Sequence, residues 1–539
     1  MKTKNKLYVA VVFVLISCVN TGLLYAQSVC MHNFKENRNT IQAKAFKSVV
    51  LGNDDLVSTG FRVVNGVNSI VADRYDAATC SLASTFIFPY YSGPPATAEM
   101  QVIVSNDNKV GIRYFDTNWP GYNYFFVLDS MLNQISSLVL GNSVTNRLIA
   151  FANDGDVILT QLSSAPSFGE TLIVNKLDQA NLVLSDWSTA IYFPGSQIRM
   201  VSDIKVDSSN NTYLTGCTEK SGVGLRLFVL KLNAAGQKEW VNQYIHPNLD
   251  WNDWLFTKLV VNDEQNVITA SRRINNNANK LNLYCHAADG TLLWSKQENI
   301  DTLSNKVWLG TDGLNNVYTA THLIGVQNYP STIVFKYDKN GNKLWQRTLS
   351  NFRASSMKVA NNGFLYLAGD HYFTQTLTPG YRSRFLQLDA NGNTIGKENQ
   401  IHNYNTSTVD SSYSKYNDVV IKSNGNAYLV GERRDYKPIG TTDYYVVDSY
   451  EKNMLPILKQ QLPASDFTVS IMPNPASNFI SIETALTNYR FTIFDLSGLV
   501  KMQGHPLNQT INIETLTPGM YFVRLACNEH ISILKIVKQ

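Results

Sequence analysis

A unit of two β-hairpins recurs along most of this chain at a spacing of about 50 residues, and a repeat of that size limits the fold more than any other feature. Residues 201–216 alternate apolar and polar side chains, turn at Asn210 and Asn211, and alternate again. That is the pattern of a hairpin with one buried face. A second hairpin runs from Phe228 to Trp240, with Ala235 and Gly236 at its turn. It returns at Ala288-Asp289-Gly290 before Trp294, at Asp338 to Gly341 before Trp345, and at Asp389 to Gly392 before Ile395. The first hairpin returns at Val317-Tyr318, Leu365-Tyr366 and Ala427-Tyr428. Fainter copies lie around Val157-Ile158 with Trp187, around Asn108-Lys109 and around Asp54-Asp55.

Four short strands per copy predict an all-β chain with a β-propeller over residues 46–462. In that fold each small sheet packs on its neighbours and ring closure leaves few edges. The copies number eight, which predicts eight blades; the two nearest the N-terminus are degenerate enough to leave seven as the alternative. Apolar residues recur at a period of two and not 3.6, which argues against a helical solenoid. A chain with 16% charged and 11% aromatic residues, rich in Gly, Asn, Ser and Thr, fits the same turn-rich β reading.

Residues 1–26 have the three parts of a signal peptide: a basic start with Lys2, Lys4 and Lys6, an apolar run from Leu7 to Val19, and Ala26 ahead of the expected cut before Gln27. The run is shorter than the roughly 20 residues that a bilayer span needs. Within the leader, Leu15-Ile16-Ser17-Cys18 also resembles a lipobox, which would make Cys18 a lipidated N-terminus, although Val19 to Leu24 is less polar than a lipoprotein tether. Loss of the three lysines takes the formal charge from +4 to 4 − 3 = +1. No basic stripe argues for nucleic acid, and no other stretch is apolar enough to span a membrane. A mature chain keeps Cys30, Cys80, Cys217, Cys285 and Cys527. This odd set without close spacing excludes a dense disulfide framework and a C-x-x-C pair. Cys30 could pair with Cys80, or all five are small buried apolar residues.

A tryptophan at the same place in each copy reads as inter-blade packing, so Trp187, Trp240, Trp294 and Trp345 are assigned to structure. Function is sought where the copies differ. The connections between hairpins and between blades vary in length and emerge on one face of the disc, which makes that face the expected binding surface. Its candidates are Arg272 and Arg273, His322, Asp370 and His371, and Glu432 with Arg433 and Arg434. Loop aromatics add Tyr90, Tyr91, Trp119, Trp251, Trp254, Tyr372 and Tyr404. Aromatic faces beside Asp, Asn and Arg suit sugar rings or extended peptide, although such loops also pack on one another. No Gly-x-Ser-x-Gly elbow, His-Glu-x-x-His or P-loop is present. His322 and His371 with Asp370 and Glu432 are the only grouping that suggests acid–base or metal chemistry, and no cofactor is expected. Asp250 to Asp253 and Asn106 to Asn108 offer oxygen ligands but lack the alternation of a calcium loop.

The wording of the copies, an aspartate-turn-asparagine, then Tyr-Leu-x-Gly, then Phe-Val-x-Lys-Leu-Asn-x-x-Gly-x-x-x-Trp, resembles the bacterial beta-propeller repeat family, also seen in quinoprotein-like propellers. The likeness is good over residues 200–350 and implies a scaffold with no fixed activity.

From about Phe467 the character changes. After a linker with Pro456 and Pro463, some seven short strands predict a small β-sandwich over 463–539. Ile471-Met-Pro-Asn-Pro-Ala-Ser477 carries Pro473, Asn474 and Pro475; Phe494-Asp-Leu-Ser-Gly498 forms a central turn; Leu516-Thr-Pro-Gly-Met-Tyr-Phe-Val-Arg524 carries Gly519 and Tyr521; Leu534-Lys-Ile-Val-Lys538 carries Lys535 and Lys538. These four motifs, in this order, resemble the type A sorting domain of the type IX secretion system. The prolines fix a turn, and both glycines permit turns with positive φ. The resemblance implies a transport address, read by the secretion machinery at the outer membrane, on a secreted or surface-displayed propeller that arrives by way of the periplasm. Such a protein is expected to bind a glycan, a protein or a surface polymer. A secreted polysaccharide-degrading or quinone-dependent propeller enzyme is the alternative.

Overall fold

A computed structural model describes residues 31–37, 44–450 and 469–539, apart from 66, 80, 90–97, 117–122, 140–146, 166–168, 221–222, 246–255, 274–279, 301–305, 325–329, 374–379, 400–410, 437–440, 485–489, 496–499, 505, 507–508 and 528–529. The expected leader and the linker prolines lie outside the described residues. Among those residues every regular element is a β-strand. The chain divides into two compact units, Met1–Lys452 and Asn453–Gln539.

In the first unit the described strands form eight four-stranded antiparallel sheets. Seven are meanders of consecutive strands, at residues 44–89, 98–139, 149–191, 197–245, 256–299, 307–349 and 353–399. The eighth takes three strands from residues 411–450 and its outermost strand, Met31–Asn37, from the other end of the chain, paired antiparallel with Thr441–Tyr450. Residues 27–45, between the expected leader and the expected start of the propeller, therefore supply part of the last blade. First strands of successive sheets are neighbours all the way round, and the first strand of the eighth touches that of the first. The ring is an eight-bladed β-propeller.

The repeat wording follows from local hydrogen bonding. In blade 4, Asp207 Oδ1 accepts the N–H groups of Ser209 and Asn211, while Oδ2 accepts from the Asn211 amide and from Tyr213 Oη at 2.9 Å. Asn210, at φ 64°, supplies the left-handed residue of that turn. Blade 6 repeats the arrangement with Asp312, Asn315, Asn316 and Tyr318. One carboxylate thus closes the turn and satisfies a buried tyrosine hydroxyl, which explains the conserved offset among the copies.

Two sets of contacts hold blade to blade. At the inner edge, the side chain four residues before the turn reaches the next inner strand. Gln101 bonds both N–H and C=O of Ile149, Asp203 accepts from Leu259 N at 3.2 Å, and Asp418 accepts from Ser48 N at 3.0 Å. At the outer edge each tryptophan indole donates to a turn carbonyl of the following blade: Trp187 to Ala234, Trp240 to Ala288, Trp294 to Lys339 and Trp345 to Ala390, all at 2.9–3.0 Å. The turn glycine lies flat on the ring; a Cβ on Gly290 would stand 2.7 Å from Trp240, and its φ of +88° disfavours any other residue. The packing role assigned to these tryptophans is what the geometry shows. Cys217 and Cys285 are buried among apolar side chains, whereas Cys30 and Cys80 lie outside the described residues.

The second unit has a three-stranded and a four-stranded sheet around one core, with Ile480, Ile482 and Ile511 from the first facing Ile493, Val523, Leu525 and Ile536 from the second. It is a small β-sandwich of seven described strands.

Trp294→Ala removes both ring packing and an inter-blade hydrogen bond. Because the indole is half-buried, the expected cost is about 2 kcal/mol, below that of a fully buried tryptophan. Calorimetry of the variant should show a lower unfolding midpoint; an unchanged midpoint would remove the latch from this account.

Candidate functional site

Inner strands begin, and second strands end, on the face that carries the variable connections, so residues at those strand ends surround one mouth of the propeller axis. Asp370 lies in the second strand of blade 7, Leu365–Phe373, and is fully buried. Arg353, which opens the inner strand of the same blade, grips it with two hydrogen bonds, Nε to Oδ1 at 3.0 Å and Nη2 to Oδ2 at 2.8 Å. Burial pulls the Arg353 pKa down, but the bonds and charge of Asp370 outweigh it and hold it above the ordinary value. Burial drives the Asp370 carboxyl upward; the bidentate geometry nevertheless decides for an ionised pair.

The same guanidinium lies over Tyr381, 4.6 Å from the ring centroid, and Tyr381 meets Tyr372 and Tyr413 edge-on at 5.2 and 6.4 Å. Burial, then the carboxylates of Glu432 and Asp370, raise the Tyr413 hydroxyl pKa, so it stays protonated. Glu432 stands opposite Lys415 in blade 8, and Arg433 opposite Ser414. Lys306, just ahead of the inner strand of blade 6, is solvent-exposed, yet crowded by protein; confinement, then the charges of Lys415, Lys47 and Arg353, bring its pKa down to about 8. Exposure to a narrow aqueous mouth solvates an ammonium less than bulk water does, so both observations hold together.

Other sequence candidates are placed differently. Arg272 is 1% exposed and donates through Nη1 to Thr321 Oγ1, whose own hydroxyl bonds Lys306 O; it joins blades 5 and 6 from within. Burial lowers its pKa to about 10. His322 Nε2 is 2.8 Å from the carbonyl of Ala354 in blade 7, and since a carbonyl only accepts, Nε2 carries the proton. Burial and then the neighbouring Lys306, Arg353 and Lys415 push its pKa down to about 4, so the ring is neutral at physiological pH. His371 is buried in the second strand of blade 7, opposite Arg382. The structure brings His322 and Asp370 to one cation-rich cluster, and Lys306, Arg353, Lys415, Tyr381 and Tyr413 are the members that sequence reading missed. Trp119, Trp251 and Trp254, with Tyr90, Tyr91 and Tyr404, lie outside the described residues.

The described oxygen-rich segment spends its side chains on neighbouring blades. Asn108 Oδ1 accepts from Gly52 N at 2.6 Å and Asn106 donates to Asn153, linking blade 2 to its neighbours; residues 250–253 lie outside the described residues. Among the described residues, Asp154, Asp156 and Asp186 approach closely enough to share a metal. The Lys176 ammonium already sits among them, 2.7 Å from Asp154 Oδ2 and hydrogen-bonded to Asp186.

In the C-terminal unit the first and last motifs are joined. Asn474, between Pro473 and Pro475, donates to Lys535 O at 2.7 Å and accepts from Val537 N at 2.8 Å, the two bonds a neighbouring strand would make. Ala476 continues this contact as a parallel bridge to Lys538. Tyr521 Oη donates back to Thr517 O at 2.8 Å, pinning the Leu-x-x-Gly-x-Tyr corner beside Gly519. Gly498 lies outside the described residues. Residues 470–539 match the family described as secretion system C-terminal sorting domain. The C-terminal unit is a type IX sorting domain. A chain with this sorting domain is exported to the cell surface or beyond. No helix among the described residues is long and apolar enough to cross a membrane.

No curated protein matches the chain in sequence. Solved structures similar to it include the β-propeller domain of the Trilobed protease from Pyrococcus furiosus, at 9% identity and TM-score 0.36 over 67% of this chain and 99% of that one. A quinoprotein alcohol dehydrogenase-like protein from Bacteroides thetaiotaomicron is 10% identical, with TM-score 0.37 over 69% and 92%. Polysaccharide lyase Uly1 is 12% identical, with TM-score 0.37 over 75% and 90%. Likeness at this level says nothing of activity; the propeller rests on its own sheets.

His322 and His286 are both pushed to about pH 4 by burial, far below the ordinary value near 6.5. Each takes up its proton more readily unfolded than folded. Stability is therefore full above about 6.5 and falls as pH drops toward 4, by about 3 kcal/mol for each group at the end of that window. Histidine ring signals in NMR should show neither group titrating above about pH 5; normal titration near 6.5 would contradict the buried placement.

Proposed function

We propose that this exported propeller is a binding protein and scaffold that holds an extracellular glycan at the axial mouth on its variable face. The observation that carries the reading is the meeting of Lys306, Arg353 and Lys415 with Tyr381 and Tyr413 from three successive blades. Aromatic faces beside a planar guanidinium and flexible ammonium groups match sugar rings and their substituents. Export to the surface puts that mouth where such polymers are met.

Binding is favoured over catalysis by the state of the titratable groups. His322 is neutral with its proton committed to Ala354 O, and Asp370 is held in a bidentate ion pair, so neither is poised to exchange a proton with a substrate.

The purified mature chain should retain glycans on an array, and Lys306→Ala combined with Lys415→Ala should weaken retention at least tenfold. Retained chains should show no new reducing ends. Retention unaffected by the double substitution, or shortening of the bound chains, would defeat this reading.

A further inference from the structure

A second set of cations lies on the inner strands below the mouth cluster, although one of them, Lys47, still acts on Lys306. Two residues before the inner turn, blades 1, 2 and 5 carry Val49, Ile103 and Val260, which pack in the apolar layers between blades. At that position blade 4 has Lys205 and blade 7 has Lys358, both exposed although they lie on the innermost strands of a closed ring. An inner strand is flanked by its own sheet and by the neighbouring blades, so the solvent they reach is that of the axial bore. Two residues earlier, Lys47 of blade 1 and Lys258 of blade 5 are also part-exposed, at 41% and 46% of their side chains.

Lys358 senses the other three ammonium groups. Lys358 is pulled below the ordinary lysine range, first by confinement; Asp418 opposes this, while Lys47, Lys205 and Lys258 add to it. Blade 4 stands three blades from blade 7, so Lys205 and Lys358 interact across the axis and not along the wall. Two carboxylates among the described residues stand beside these cations, Asp418 near Lys47 and Asp203 near Lys258, and both spend their hydrogen bonds on neutral donors. Asp418 accepts from Ser48 N and from Ser356 Oγ, and Asp203 accepts from Leu259 N. Lys47 and Lys258 stand 3.9 Å from them, beyond hydrogen-bond distance. Among the described residues, no acceptor lies within that distance of any of the four ammonium groups. Lys47 and Lys258 keep a loose ion pair each, but Lys205 and Lys358, at positions that other blades fill with valine or isoleucine, are held among like charges and cost the fold stability.

We propose that the axial bore is an oxyanion site in which Lys47, Lys205, Lys258 and Lys358 converge on one phosphate, sulfate or carboxylate group. The low-dielectric walls of the bore focus the field of the four charges, and lysine suits a group that approaches as a point charge from any side. The oxyanion is either free in solution or borne by an acidic polymer that reaches down from the mouth. Three of its four lysines, Lys205, Lys258 and Lys358, have no part in the mouth cluster, and Lys47 touches it only through its charge on Lys306, so the site can be tested apart from the glycan reading.

The test uses the full mature chain, with inorganic phosphate and polygalacturonate as probes, each titrated by calorimetry at ionic strength matched with sodium chloride. Phosphate should also raise the thermal midpoint above that in chloride. Lys205→Met with Lys358→Met should weaken binding at least tenfold. In chloride the same variant should be as stable as the parent or more so, since it restores apolar packing and removes repulsion. Phosphate binding lost in the variant assigns a free oxyanion, and polygalacturonate binding alone, lost in the variant, assigns a polymer-borne one. The proposal is overturned if neither probe prefers the parent chain, or if the variant is destabilised in chloride, which would make the lysines part of the framework. Lys306→Ala with Lys415→Ala should leave phosphate binding within a few-fold of the parent, so failure at the mouth and failure in the bore are separable.

Discussion

Ring closure is the constraint on which the rest of the first unit depends. A four-stranded sheet with two apolar faces is not stable alone, and the first and eighth blades bury both of theirs only because they meet. That seam is made by Asp418 accepting from Ser48 N, by Asn417 donating to Ala45 O at 2.8 Å, and by Ser423 donating to Asp54. The strand Met31–Asn37, laid on the outer edge of the last blade, ties the two ends of the propeller into one sheet. Opening the seam would expose apolar faces on two blades and release the axis that both proposed sites require.

Closure also explains where polar groups collect. The outer edges are latched by indole and glycine, and the middle strands are apolar. The inner strands, crowded round the axis, are stitched by Gln101, Asp203 and Asp418. Charges left over at that radius have nowhere to go but the bore and its mouth. Evolution could have filled those positions with valine, as in several blades; the cations at Lys205 and Lys358 are therefore better explained by a ligand than by the fold.

Much of this was legible in the chain. The Asp-turn-Asn-x-Tyr offset, the Gly-to-Trp spacing and the four ordered C-terminal motifs are local features, set by hydrogen bonds that span few residues, and they gave the propeller, the eight copies and the sorting domain. The axial cluster was not legible. Arg353 and Asp370 are 17 residues apart on different strands, and bulges at Ala354/Ser356 and Tyr416/Asp418 shift the alternation that a reader would count. His322 looked like a strand-end ligand because the carbonyl that accepts its proton belongs to the next blade. Strand Met31–Asn37 showed no hairpin signal because its partner lies some four hundred residues away.

The two units divide the work, the sandwich carrying the address and the propeller the surface proposed to bind. The most direct measurement places a reporter of unrelated fold between residues 1–26 and residues 463–539 in a bacterium with an intact type IX system. The account predicts that the reporter arrives at the cell surface or in the medium, and stays in the periplasm without the C-terminal unit. A reporter that remains periplasmic with both segments attached would contradict it.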